Sequence, residues 1–143
     1  MRGDQMKAHS INRVDRRTFI RRYPGERDQA RLVRAALVFL LDGCPRADDA
    51  VLITSELAAN AAVHSNSAAP AGQFTVRAEV YCGDYVWIEV EDQGGPWTCR
   101  ENHESYMHGL DLVDALAGTG NWGIDGGAEH GRIVWARLDW PKD

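Results

Sequence analysis

The chain has 143 residues and a mass of 15.9 kDa, one ordinary domain with enough length to bury a core. Its 44% hydrophobic and 26% charged residues exclude a disordered chain, and its longest apolar run, Ala35–Leu41, falls far short of the ~20 residues of a membrane-spanning helix. The start, MRGDQMKAHS, is polar and lacks the apolar stretch of a secretory signal, and Met6 offers an alternative initiator.

Cys44, Cys82 and Cys99 are odd in number and form no C-x-x-C pair, so they read as free thiols of a reducing, cytoplasmic compartment. The net charge of −5 is unevenly spread. Residues 1–34 carry ten Lys or Arg against four acids, and the remainder carries six against seventeen. A basic arm on an acidic body suits nucleic acid, but no aromatic-interleaved basic run or helix-turn-helix pattern accompanies it. The expectation is a protein-facing or solvated surface, with no direct nucleic-acid contact and no membrane contact.

Residues 1–15 are read as a leading segment and 16–143 as one domain. Arg16–Tyr23 has the mixed pattern of an edge strand, and Pro24-Gly25 punctuates it. Glu26–Asp42 reads as a helix, with Ala30, Val33, Leu37, Leu40 and Leu41 along one face. Gly43 and Pro45 stop it. A second helix is expected from Ala47 to Ser65, with Asp48 and Asp49 in its first turn, where carboxylates suit the helix dipole. Ser65–Gly72 is a loop. Gln73–Tyr81 and Tyr85–Glu91 alternate as strands, joined by the tight link Cys82-Gly83-Asp84. Asp92–His108 reads as a long irregular loop, the kind that carries function. A short helix, Gly109–Ala117, precedes closing strands Asn121–Ile124 and Arg132–Leu138 around the turn DGGAEHG. The order predicts an α/β (α+β) two-layer sandwich: a mixed, mostly antiparallel sheet covered on one face by about three helices.

The second helix contains SELAANAAVHS. Glu56, Asn60 and His64 are four residues apart and share a face. Asn is a poor interior helix residue, and the surrounding alanines let another group approach closely. One reading is a ligand-facing stripe: Asn60 offers a neutral oxygen to a hard cation such as Mg²⁺, and Glu56 accepts a proton beside it. The other is a solvent-exposed polar face, and the spacing alone leaves both open. H-E-x-x-H is absent, and His64 has no His or Cys partner at zinc-ligand spacing; His103 and His108 fall in the long loop and His130 in a turn. G-x-S-x-G is absent too.

The strand VWIEVE runs into DQGGPW. Asp92 stands where a fixed carboxylate can accept the exocyclic amine of a purine, and Gly94 and Gly95 let a ring lie close to the backbone; a plain turn would look the same. Gly109 is expected to open the third helix, whose free N–H groups would seat a phosphate. The dinucleotide and P-loop signatures are absent. Of the five tryptophans, Trp87 and Trp135 fall in strands and read as packing, Trp97 beside Pro96 is placed to border a ligand or a partner, and Trp122 and Trp140 read as packing by default, with an interface as the alternative.

Taken in order, ARLVRAAL, SELAANAAVHS, VEDQGGPW, HGLDLVDALA and GRIVWARL resemble the motifs of the GHKL ATPases over roughly Tyr23–Leu138. They look most like the short bacterial branch, the anti-sigma-factor serine/threonine kinases. The resemblance implies the ATP-binding fold of that family, with ATP and Mg²⁺ as cofactors. It makes Glu56 the general base and Asn60 the Mg²⁺ ligand, with His64 beside them. Asp92 would read adenine above Gly94 and Gly95. His108, Gly109 and Leu110 would close over the phosphates, and Thr98–Met107 would form the lid. The implied partners are a sigma factor and an anti-anti-sigma (STAS-type) antagonist, with pairing of two copies as a further possibility. Two positions depart from the pattern. Met107 stands at the first Gly of G-x-G-L, and Ile133 follows Arg132 where many relatives carry a Thr near the adenine. These departures favour an alternative: a module of the same fold that sequesters a partner without phosphorylating it.

Overall fold

The computed structural model describes residues 16–95, 103–127, 129 and 131–142. Five strands form one sheet: β1 (Arg16–Pro24), β2 (Gln73–Tyr81), β3 (Tyr85–Asp92), β4 (Trp122–Gly127) and β5 (Gly131–Asp139). Three helices accompany it: α1 (Gln29–Leu40), α2 (Ala47–His64) and α3 (His103–Ala117). The spatial order is β1-β2-β3-β5-β4, and every pairing is antiparallel, not mixed. The architecture is α+β, a five-stranded antiparallel sheet with a helical layer. Among the described residues no helix is long and apolar enough to cross a membrane.

The strands alternate because one face is buried and the other is not. Phe74, Val76, Ala78 and Val80 of β2 and Val86, Ile88 and Val90 of β3 turn inward and are buried. α2 packs over β2 and β3 with Ile53, Leu57, Ala58, Ala61 and Ala62, and the small alanines let it approach closely. α1 adds Ala30, Val33 and Leu37 against α2, as the periodicity predicts. Its first turn begins at Gln29, not Glu26. Residues 26–28 form a turn in which the Gln29 N–H donates to the Glu26 carbonyl at 3.0 Å.

Two arginines tie the layers together. Arg17 of β1 donates to the Leu40 and Asp42 carbonyls, both at 2.8 Å, and so satisfies the open end of α1. Arg46, at the start of α2, pairs with Asp49 at 3.1 Å and donates to the Leu116 and Asp139 carbonyls at 2.6 and 2.8 Å. It thus joins the start of α2 to the ends of α3 and β5.

The outward face of the sheet is held by cross-strand pairs. Trp87 and Trp135 stack with centroids 4.9 Å apart, and Trp87 Nε1 donates to Glu89 at 2.8 Å. Arg77 bridges Glu91 at 2.8 Å, and Arg137 lies over the Tyr85 ring. Tyr81 donates to Glu79, and this hydrogen bond raises its phenol to about 12. Trp122 and Trp140 pack against the core edge, and Trp122 Nε1 donates to Asp114 at 2.8 Å. Trp97 and residues 1–15 lie outside the described residues.

One buried serine organises the end of the sheet that matters below. Ser67 Oγ donates to the Gln73 carbonyl at 2.6 Å and accepts the Gln93 N–H at 3.0 Å. Its own N–H donates to Ser65 Oγ at 3.0 Å, and Ser65 in turn bonds the Ala61 carbonyl at 2.7 Å. The last turn of α2 is thereby stitched to the start of β2 and the end of β3. Gly25 and Gly72 press on the same residue: a Cβ on either would lie 1.6 or 2.1 Å from the Ser67 carbonyl oxygen. Urea denaturation checks this arrangement. Ser67→Ala should cost about 2 kcal/mol, since it strands buried backbone groups. Gly72→Ala should cost at least about 2 kcal/mol through overpacking. Exposed Ala69→Ser should stay within about 0.5 kcal/mol.

Candidate functional site

The pleat of β3 carries Asp92 inward, on the same face as Val86, Ile88 and Val90. The residue is 4% exposed. A buried carboxylate is costly unless paired and hydrogen-bonded. Asp92 has both: Oδ1 accepts the Gly94 N–H at 2.7 Å, and Oδ2 faces Arg132 Nε at 3.6 Å. The β3–β5 register sets Asp92 directly opposite Arg132. Arg132 is itself buried, and its Nη2 donates to the Gly95 carbonyl. Gly94 and Gly95 have φ of +80° and +83°, the left-handed region where a side chain is strained. Their sequence therefore builds a tight backbone turn directly above a fixed carboxylate.

The register also corrects an expectation about the last strand. Ile133 pairs with Glu91 and lies on the opposite face from Asp92, so the residue type at 133 does not reach that carboxylate. Position 132 is the neighbour of Asp92, and it carries an arginine. The sequence reading gave Arg132 no role. The signal was present: Arg132 falls in step with Val134, Ala136 and Leu138, all inward-facing.

Asn60 lies on α2, 6% exposed, and its Nδ2 has no hydrogen-bond partner among the described residues. Gly109 of α3 covers it. A Cβ on Gly109 would sit 2.8 Å from Asn60 Nδ2. Gly109 does not open the helix, as the sequence suggests. α3 starts at His103, so Gly109 is the seventh of its fifteen residues. Its N–H is thus not one of the free groups of a helix start, and the expected phosphate seat is absent at that position. No breaker stands between His103 and Gly109, so helix forms there in place of the predicted loop. The glycine is kept in the helix interior, at about 1 kcal/mol against alanine, because α3 must pass over the Asn60 amide. Leu110, half-buried, packs against the core beside it.

Glu56 stands one turn before Asn60 and opens towards α1. It lines a groove of about 380 Å³ with Arg27, Arg31, Arg34 and Ser55. The three arginines are exposed and enter no ion pair among the described residues, and Asp28 lines the groove as well, so three guanidinium groups face two carboxylates and the mouth is net positive. The side chains of His64 and His108 and the segment 98–102 lie outside the described residues.

Two clusters result: Asp92, Gly94, Gly95 and Arg132 at the end of β3 and β5, and Asn60 with Gly109 between α2 and α3. The Ser65–Ser67–Gln93 chain of hydrogen bonds links the helix of one to the turn of the other. The first cluster offers a buried acceptor under a side-chain-free turn and the second an unsatisfied amide beneath Gly109, while Asp92 and Glu56 line separate grooves.

The Asn60–Gly109 contact is testable by a double-mutant cycle in urea. Gly109→Ala should cost about 1–2 kcal/mol despite alanine's better helix propensity. In an Asn60→Ala background the same change should be neutral or stabilising. Comparison with protein-family models and with curated proteins finds no match for this chain.

Proposed function

We propose that the chain is a nucleotide-binding regulatory domain of the GHKL ATPase kind. In this reading it binds Mg-ATP and transfers the γ-phosphoryl group to a serine or threonine of a protein antagonist of the anti-anti-sigma (STAS) type. It also sequesters a sigma factor, for which the antagonist competes. The observation that carries the reading is the buried Asp92 carboxylate held under a Gly94–Gly95 turn, next to the helix that bears Asn60 and Glu56. A fixed inward acceptor below a backbone turn without side chains suits the exocyclic amine of a flat heterocycle.

The donor set also suits the metal this reading implies. Asn60 supplies one neutral side-chain oxygen, and its amide nitrogen is left unsatisfied in the protein. One neutral ligand matches Mg²⁺, which keeps several waters and takes its other ligands from phosphates. Bound there, the ion would neutralise charge on the phosphates. Glu56 would take the proton of the acceptor hydroxyl as that oxygen bonds to the γ-phosphorus and the bond to the ADP oxygen breaks. Arg27, Arg31 and Arg34 would attract the anionic reactants to this mouth.

A second reading is a binding module that holds its partner without chemistry. The interior position of Gly109 favours it, because a helix start aimed at phosphates is missing there.

Calorimetry and a transfer assay separate the two. Wild type should bind Mg-ATP, and Asp92→Asn should weaken binding about tenfold or more. Glu56→Gln should keep binding while label transfer from γ-labelled ATP to a STAS-type antagonist falls at least about a hundredfold. Binding of ATP with no label on the antagonist would select the second reading, and no binding at all would remove the nucleotide.

A further inference from the structure

Arg132 is an unusual residue to find where it stands. It is 9% exposed, inward-facing and directly opposite the carboxylate at the end of the neighbouring strand. It makes two contacts with the same turn from below: Nε towards Asp92 Oδ2 at 3.6 Å, and Nη2 donating to the Gly95 carbonyl. Asp92 Oδ1 is meanwhile engaged by the Gly94 N–H at 2.7 Å. Both oxygens of the carboxylate are thus already directed at protein groups.

This matters for what the carboxylate can read. A carboxylate with two open oxygens accepts two adjacent N–H donors, the pattern on the guanine edge formed by N1–H and the 2-amino group. Asp92 is held in one orientation, with a cation beside Oδ2. That cation disfavours a second donor next to the first and favours an acceptor there. The edge that fits is one amine beside an acceptor nitrogen, as in adenine, whose 6-amino group adjoins N1.

We propose that Arg132 is a positioning residue that makes this site select an adenine over a guanine base, by pinning Asp92 and anchoring the Gly95 carbonyl. The inference rests on the nucleotide reading above. It adds a residue of this chain that determines which nucleotide is taken, acting through Asp92 and not by transferring anything itself.

The test is calorimetry of the full chain with ATP and with GTP, each with Mg²⁺, for wild type, Arg132→Met and Arg132→Lys. Circular dichroism reports whether each variant is folded. Wild type should prefer ATP by about tenfold or more, the worth of one well-placed hydrogen bond. In Arg132→Met that preference should fall to about threefold or less, since Oδ2 is released. Arg132→Lys keeps the charge but loses the planar fork that reaches both Asp92 and Gly95, so its preference should fall in between. If Arg132→Met does not fold, a drop in preference in Arg132→Lys decides for the proposal and an unchanged one against it. A merely structural role would weaken both nucleotides alike and leave their ratio as in wild type, which would overturn the proposal. A wild type that binds both nucleotides equally would overturn it as well, while leaving nucleotide binding intact. A wild type that binds neither would remove the nucleotide reading and this inference together.

Discussion

A charged carboxylate buried at the inner end of a central strand is the constraint around which the rest of this molecule is arranged. Asp92 cannot stay there alone, because desolvating an unpaired charge costs several kcal/mol, of the order of the whole stability of a small domain. The antiparallel register answers this by bringing Arg132 opposite it, and the turn answers it with the Gly94 amide. Gly94 and Gly95 are glycines because the chain must turn through the left-handed region to deliver that amide. Ser67 then fixes where the turn lies relative to α2. Each element at this end of the sheet is thus explained by the need to hold one anion in place.

The opposite face of the sheet follows a different rule. Among the described residues no buried charge lies there, and stability comes from neighbouring side chains on adjacent strands. The Trp87–Trp135 stack, the Arg77–Glu91 bridge and Arg137 over Tyr85 cover the backbone without a helical layer. The molecule therefore separates its work. One face is packed and aromatic, and the inward end carries the polar groups that could meet a ligand.

Much of this was legible in the residues. Period-two alternation in β2 and β3 and the three- and four-residue spacing in α1 located the core, because burial on one face leaves a direct imprint on the pattern. DQGG announced a turn after a strand, whereas the four-residue spacing of Glu56 and Asn60 did not reveal that Glu56 lines a groove beside α1 while Asn60 lies beneath Gly109 of α3. The start of α3 was misread for a physical reason: a glycine usually marks a helix end, whereas Gly109 is retained inside a helix by the close passage over Asn60. Arg132 was missed because its role depends on which residue of β5 faces which residue of β3, a long-range register that no local pattern encodes. Ser67 was passed over as one more small polar residue in a loop, since its three hydrogen bonds exist only once β2, β3 and α2 have assembled.

The central claim is that one ligand, an adenine nucleotide, touches both the Asp92 turn and the Asn60 amide. A titration of ¹⁵N-labelled protein with Mg-ATP, followed by amide chemical shifts, tests it most directly. The account predicts saturable shifts of the Gly94 and Gly95 backbone amides together with the Asn60 side-chain amide, all with one midpoint. Shifts confined to the exposed sheet face, or two sets of shifts with different midpoints, would contradict it.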